Sequence, residues 1–373
     1  MRLPEFDLER FFARWEPSVP ALLCASDAES WTMSELLAMA DHGSLALWDE
    51  LSLGYTETRG HPELREEIAR LYTSVDSDDV LVFSGAQEAI FALLNVLLDP
   101  DDHAVVVWPA YQSLYEVALA AGAGVSLVRL SYEREWTLDL QAIADAVTPA
   151  TKVVIVNYPH SPTGSHITQG ELDDLIGICA KSGAYLLCDE VYRFMELDEA
   201  SLVQAGADCY ERGISLGVMS KSFGMAGLRI GWLAMMDDEL LQRVGAFKDY
   251  TTICNSAPSE VLAIAALRAR EPLLQRNRAI VAENLALLDA FFERNAERVE
   301  WIRPASGMVG FPRLRSSGPI DVLAEELARE AGVLILPGSL FDYPGDHFRI
   351  GFGRRNLPEV LEAFESFLLA KAP

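Results

Sequence analysis

Short apolar runs alternate along the chain with stretches in which apolar residues recur at helical spacing. Seven of these runs predict strands, at residues 80–83, 104–108, 124–130, 152–157, 185–189, 214–219 and 230–235. Several are almost wholly apolar, which is typical of a mostly parallel sheet that helices cover on both faces. Because helical patterns precede and separate the runs, the sequence predicts an α/β architecture.

The order of elements changes from about Glu271. A long helical stretch at 271–295 is followed by a short strand pattern, a helix at 320–331, the apolar run VLIL and an amphipathic helix at 358–371. This order predicts a second, smaller α+β domain.

Composition narrows the class of protein. Half of the 373 residues are hydrophobic and 23% are charged, which is typical of a folded chain of two or three domains. The formal net charge of −26 argues against binding to nucleic acid or anionic membranes. No CxxC pair, metal-ligand spacing, signal-like start or membrane-length apolar run is found, so we expect no metal site, no membrane contact and a cytoplasmic location.

The segment VMSKSFGMAGLRIGW, residues 218–232, carries the first candidate chemistry. Lys221 follows an apolar strand, where a lysine by itself is usually a surface residue. Its small and apolar neighbours, however, suit a desolvated lysine that forms a Schiff base. Arg229, eight positions later, can supply a fixed cation for a phosphate.

Asp189 ends the apolar run at 185–189, where a buried carboxylate is costly unless it is paired. A helix cap or a surface position is the ordinary alternative. The functional interpretation is an ion pair with a protonated pyridine nitrogen, which keeps a cofactor ring able to accept electrons. Tyr192 could donate to the pyridine oxygen or serve only in packing.

Two turns complete the pattern. SGAQEA, residues 84–89, lies between a strand and a helix, where backbone N–H groups can hold a phosphate. NYPHSPTG, residues 157–164, forms a rigid non-helical turn that can lie against a cofactor. Each turn alone is common in α/β proteins.

In this order and spacing, the motifs resemble those of the pyridoxal-phosphate (PLP) enzymes of the class I/II aminotransferase family, from about Gly54 to Phe352. The resemblance implies fold type I, with a seven-stranded, mostly parallel sheet in a large domain at residues 46–274. A smaller α+β domain is then formed by both termini, residues 1–45 and 275–373. PLP is the implied cofactor.

The resemblance also implies a role for each matching residue. Lys221, Asp189 and Tyr192 are the implied catalytic residues. The implied cofactor-binding residues are Gly85, Ala86, Gln87, Tyr111, Ser161, Asp189, Tyr192, Ser220, Lys221 and Arg229. Tyr55, in a YxxxxGxxxLR segment, implies a phosphate contact in the neighbouring subunit and hence a homodimer. Arg349, in FRIGF, matches the arginine that clamps the substrate carboxylate, a task suited to guanidinium.

Two positions depart from the family pattern. Ser161 stands where the family usually has an asparagine that touches the pyridine oxygen and the substrate carboxylate. Val218 stands where a hydroxyl residue commonly binds the phosphate, and Ser220 is expected to take part of that role. Both changes alter the surroundings of the cofactor without removing the core chemistry.

The implied reaction uses an amino acid and a 2-keto acid, with Lys221 as general base at Cα. Transamination is favoured by its frequency in the family, but the same residues allow β-elimination or replacement. The N-terminal segment resembles the subgroup that contains capreomycidine synthase, which cyclises a hydroxylated arginine. In that case Asp27 and Glu29 would bind a cationic side chain near the substrate entrance; two solvated loop carboxylates are the alternative.

A different class is a PLP-binding sensor in a transcription regulator, which carries an N-terminal DNA-binding domain. The motifs begin near Gly54, which leaves no room for that domain, and the charge opposes DNA binding. Turnover of an amino acid with a keto-acid acceptor separates an enzyme from a sensor.

Overall fold

The predicted apolar runs assemble into one seven-stranded sheet. This is seen in a computed structural model that describes residues 2–198, 201–315 and 319–371. The strands are β2 (Val80–Phe83), β3 (His103–Trp108), β4 (Gly124–Arg129), β5 (Thr151–Asn157), β6 (Tyr185–Asp189), β7 (Gly213–Val218) and β8 (Gly231–Ala234). Their order is β2-β8-β7-β6-β5-β3-β4, and β8 runs antiparallel to its neighbours. The predicted mostly parallel seven-stranded sheet is therefore confirmed.

Helices surround this sheet and build the remainder of the fold. They are α1 (Asp7–Trp15), α2 (Met33–Met39), α3 (His42–Asp49), α4 (Pro62–Ala69), α5 (Ala86–Leu97), α6 (Ser113–Ala121), α7 (Leu140–Ala146), α8 (Gln169–Ser182), α9 (Gly206–Cys209), α10 (Asp238–Lys248), α11 (Ala257–Arg268), α12 (Arg270–Arg294), α13 (Ile320–Glu330) and α14 (Leu357–Ala370). In the described chain, none of these helices combines the length and the apolar character needed to cross a bilayer.

Residues that alternate along a strand of the sheet pack into two separate hydrophobic cores. Val80 and Val82 pack in one cluster, whereas Leu81 and Phe83 of the same strand pack in another. Successive side chains of a strand point to opposite faces, so both faces of the sheet are covered. This burial explains why the strands lack polar alternation.

The C-terminal region forms a third core from α12, α13 and α14 with short strands. The short strands outside the large sheet are β1 (Ala21–Leu22), β9 (Val299–Glu300), β10 (Val309–Gly310), β11 (Arg313–Leu314), β12 (Val333–Leu334), β13 (Leu336–Pro337) and β14 (Phe348–Gly351). Leu23 joins this core, but Leu36 packs with residues of the large sheet. The predicted division at residues 45 and 274 stays a prediction.

The run VLIL was expected to be one strand, and that expectation is wrong. Val333 and Leu334 pair in parallel with β1, whereas Leu336 and Pro337 pair antiparallel with β14. Ile335 lies between the two pairings and is fully buried. One apolar run thus joins the N-terminal segment to the strand that carries Arg349.

Candidate active site

A cleft of about 490 Å³ opens at the carboxyl ends of the parallel strands. Ligands of open α/β sheets bind at this edge, because the loops that follow the strands converge there. Most of the predicted site residues line the cleft: Asp27, Ala86, Gln87, Tyr111, Ser161, Asp189, Tyr192, Ser220, Lys221, Arg229 and Arg349. Gly85, Glu29 and Tyr55 lie outside its lining and are described below.

Asp189 ends β6 with a carboxylate that is only 5% exposed. Its Oδ1 accepts a hydrogen bond from the Val191 N–H at 3.3 Å. Burial raises the pKa of Asp189 to about 7, while this N–H and the Lys221 ammonium act in the opposite direction. A cation placed against the carboxylate would stabilise its charged form, which is what a protonated pyridine nitrogen provides.

Lys221 lies three residues beyond the end of β7, and its Nζ is 2.7 Å from the Ser26 Oγ. Tyr192 donates from its hydroxyl to the Ser26 carbonyl oxygen at 2.9 Å. The Lys221 Nζ also lies 5.9 Å from the centre of the Tyr192 ring. Residues from the sheet and from the N-terminal segment therefore meet at the lysine.

Gly85 caps α5 with a φ of 92°, a conformation that favours glycine. A Cβ at this position would lie 2.7 Å from the Arg229 Nη2, so the guanidinium packs directly on the glycine backbone. No side chain caps the N-terminus of α5. Its first-turn N–H groups, at Ala86 and Gln87, can therefore bind an anion beside Arg229.

The proline turn is held to Asp189 through Asn157. Asn157 donates from Nδ2 to the Asp189 carbonyl oxygen at 2.8 Å and accepts from the Ser161 N–H at 2.7 Å. Asn157 therefore fixes the backbone of the turn, while the Ser161 side chain lines the cleft. The peptide bonds that precede Pro159 and Pro162 are cis.

Tyr111 closes one side of the cleft. Its hydroxyl donates to the Glu9 Oε1 at 3.0 Å, and its ring lies 5.0 Å from the Phe6 ring. Burial, together with the Glu9 carboxylate, raises the pKa of Tyr111, so the hydroxyl stays protonated. Tyr111, a predicted cofactor-binding residue, is thus linked to the N-terminal helix.

Arg349, on β14, is 4% exposed and lines the cleft. Its Nη2 donates to the Cys24 carbonyl oxygen at 2.9 Å, whereas its Nε has no hydrogen-bond partner in the described chain. A buried guanidinium with an open donor is a strong site for a carboxylate. The position suits the predicted clamp on the substrate carboxylate.

Asp27 and Glu29 were predicted at the substrate entrance, and only Asp27 lines the cleft. Its carboxylate pairs with Arg354, with 2.8 Å between Oδ1 and Nη2. The Glu29 Oε2 instead accepts from the Arg355 N–H at 3.0 Å. Substrate contact by these two residues stays a prediction, since both carboxylates already have protein partners.

Tyr55 does not reach the cleft of its own chain. Its side chain is 91% exposed and lies beside a separate groove with Gly54 and His61. This exposure leaves it free to contact another molecule. Its role in a neighbouring subunit stays a prediction.

Sequence reasoning missed four polar residues of the cleft: Glu9, Glu16, Ser26 and Arg354. Ser26 adjoins Asp27, but only charged residues of that segment were considered. Leu8, Glu9, Phe12 and Glu16 recur at helical spacing, which could have indicated a helix face with two carboxylates.

Comparison with known proteins identifies the family. The sequence model of aminotransferase class I and II matches residues 32–366. The chain belongs to this family. Capreomycidine synthase from Streptomyces vinaceus is 29% identical over 88% of this chain and 84% of its own length.

Two solved structures extend the comparison. A PLP-dependent aminotransferase from Streptococcus suis superposes with a TM-score of 0.94 at 31% identity and covers 100% of both chains. A PLP-dependent cyclase, OrfR, superposes with a TM-score of 0.90 at 30% identity, over 100% of this chain and 99% of its own. The predicted fold type I is confirmed by these neighbours.

The protein is a PLP-dependent enzyme of this family, and the residues of the cleft fit the cofactor. Asp189 is a buried carboxylate, and among the groups that shift its pKa Lys221 is the only cation. The N-terminus of α5 and Arg229 suit a phosphate. Lys221 supplies the amine for a Schiff base.

Proposed function

We propose that the enzyme is an aminotransferase that moves the amino group of an L-amino acid to a 2-keto acid. One observation carries the proposal: Lys221, Asp189 and Arg349 all open into a single cleft. These side chains supply a proton-transfer group, a partner for the ring nitrogen and a carboxylate clamp.

The cofactor, when bound, accepts the electrons that remain at the substrate Cα after its proton leaves. Lys221 removes that proton at Nζ and can return it at a different carbon. Asp189 would keep the ring nitrogen protonated, and Ser161 and Tyr192 would hold the ring oxygen. To donate there, the Tyr192 hydroxyl would have to release the Ser26 carbonyl oxygen. Arg349 orients the substrate by its carboxylate.

The test is a panel of L-amino acids mixed one at a time with the purified holoenzyme. We expect at least one amino acid to remove the absorbance of the lysine–cofactor Schiff base, to form pyridoxamine phosphate and to release a keto acid. Lys221→Ala should abolish both the Schiff-base spectrum and turnover, because it removes the amine and the base together. Loss of activity should be at least about a thousandfold, as for removal of a nucleophile or base.

Lys152→Ala is the matched control. Lys152 is the second residue of β5, and its Nζ pairs with the Asp102 Oδ1 at 3.6 Å. This variant should keep the wild-type spectrum and rate. A Schiff-base spectrum that survives Lys221→Ala would overturn the assignment, and absence of turnover with every amino acid would favour a binding protein.

Cyclisation of an arginine-like amino acid is the second candidate, and it is supported by the likeness to a PLP-dependent cyclase and to capreomycidine synthase. The same panel separates the two. A cyclic product that accumulates without pyridoxamine phosphate would indicate cyclisation. Release of a keto acid and ammonia without pyridoxamine phosphate would indicate β-elimination.

We also propose that the active form is a homodimer in which Tyr55 contacts the phosphate of the neighbouring site. Exposure of Tyr55 and of Leu53, at 83%, supports a contact surface in this segment.

The cysteines are all unpaired, which supports the predicted cytoplasmic location.

A further inference from the structure

Helix α1 lies over the mouth of the cleft with one defined face. Leu8, Glu9, Phe12 and Glu16 line the cleft, at positions that recur along one side of a helix. Glu16 caps the C-terminus of α1 in helical conformation, so the spacing continues through it. The helix thus contributes two carboxylates and two apolar side chains to the lining of the cleft.

The segment before α1 and the first turn of the helix are attached to the large domain near Tyr111. Gln112 accepts a hydrogen bond from the Asp7 N–H at 3.0 Å and donates to the Glu5 carbonyl oxygen at 2.9 Å. Together with the bond from Tyr111 to Glu9, these contacts fix the rotation of the helix. The side chains that line the cleft therefore belong to the folded site.

Unlike Asp27, which pairs with Arg354, these two carboxylates form no ion pair within the described residues. Asp189, in turn, lies within electrostatic range of the Lys221 ammonium. In the described chain no hydrogen bond or ion pair engages the Glu16 carboxylate. Burial and then Glu9 raise the pKa of Glu16, whereas the Arg354 guanidinium lowers it, so Glu16 lies within electrostatic range of both.

The buried part of the cleft carries a positive charge, whereas Glu9 and Glu16 are exposed. The Arg349 guanidinium is 4% exposed and keeps an unpartnered Nε, which marks the position of a ligand carboxylate. The cleft is therefore lined by the buried Arg349 guanidinium, by the apolar Leu8 and Phe12, and by the exposed carboxylates of Glu9 and Glu16. A ligand that complements these groups has a carboxylate, an aliphatic stem and a distal cation.

We propose that Glu9 and Glu16 form a subsite for the guanidinium or ammonium group of a cationic amino-acid side chain. This inference rests on the proposed function, because it uses the same cleft and the same carboxylate clamp. Seven residues of helix separate the two glutamates by about 10 Å, a distance that their side chains can close around one guanidinium. Bound cation would also relieve the repulsion between them.

The test compares L-arginine with L-citrulline, in which a neutral ureido group replaces the guanidinium. The wild-type holoenzyme should show a kcat/KM for arginine at least about tenfold above that for citrulline, the effect of one charge-assisted pair. Glu16→Gln and Glu9→Gln should each remove most of this preference by lowering kcat/KM for arginine, with little change for citrulline. Glu5→Gln is the control, since Glu5 precedes α1 and lies outside the cleft lining.

A binding measurement separates the subsite from the chemistry. Calorimetric titration of arginine into the Lys221→Ala holoenzyme should give a tighter Kd than titration into the variant that also carries Glu16→Gln. Equal kcat/KM values for arginine and citrulline in the wild type would overturn the proposed subsite. An equal loss of kcat/KM for both substrates in Glu16→Gln would do the same. If the wild type turns over no amino acid at all, the proposed function fails instead.

Discussion

Asp189 is a single residue whose position costs the fold stability and gives the site its chemistry. Burial holds the pKa of Asp189 at about 7 against an ordinary value of 3.8. At a pH between these two values, the Asp189 carboxyl keeps its proton in the folded protein but has released it in the unfolded chain. By linkage, raising the pH across this window destabilises the cofactor-free protein, and the penalty is constant above it.

Asp189→Asn should therefore gain stability over the wild type as the pH rises from 5 to 7 in cofactor-free protein. The expected gain is roughly 2 kcal/mol, since each unit of pKa difference corresponds to about 1.4 kcal/mol. Urea unfolding of both proteins at several pH values measures it. With PLP bound, the ring nitrogen should stabilise the carboxylate and the difference should shrink. Parallel stability curves in the cofactor-free state would contradict the prediction.

At the scale of elements, the junction of β2 and α5 shows how backbone conformation creates a phosphate site. Gly85→Ala would strain a residue with a φ of 92° and place a Cβ 2.7 Å from the Arg229 Nη2. Because the guanidinium must then move, we expect PLP affinity to fall about tenfold or more, the value of one charged hydrogen bond. Spectroscopic titration of the cofactor-free protein with PLP measures this.

Gly177→Ala is the matched control for that substitution. Gly177 lies within α8, and a Cβ there would meet nothing within 4 Å. It should leave PLP affinity unchanged and slightly stabilise the helix, since alanine is the better helix former. A similar loss of affinity in both variants would show that the phosphate site does not depend on Gly85.

The elements also show what sequence can and cannot predict. The strands of the large sheet were predicted to within a residue or two because burial on both faces leaves a continuous apolar run. Lys221, Asp189 and Arg349 were found because each follows or lies on such a run within a specific motif. The position of α1 could not be predicted, because it depends on Gln112 and Tyr111, about a hundred residues away. For the same reason Glu9 and Glu16 were missed.

For the whole molecule, the exposed apolar residues indicate where a second copy would bind. Leu53 and Tyr55 are exposed in one segment, and Tyr250 and Ile253 in another. The two segments are joined by a hydrogen bond, in which the Thr56 hydroxyl donates to the Asn255 carbonyl oxygen at 3.2 Å. One continuous surface would thus carry Tyr55 into the neighbouring subunit, in an interface that repeats by twofold symmetry.

Mixed dimers test this arrangement. Tyr55→Ala alone should lower PLP affinity about tenfold by removing a hydrogen bond to the phosphate. Co-expressed Tyr55→Ala and Lys221→Ala chains should form hybrid dimers in which one site combines an intact Lys221 with the partner's intact tyrosine. At sub-saturating PLP, an equal mixture should then recover about a quarter of the wild-type activity, because half of the dimers are hybrids with one complete site each. If Tyr55 instead served its own chain, no hybrid site would be complete, and activity would not exceed that of the Tyr55→Ala chains present.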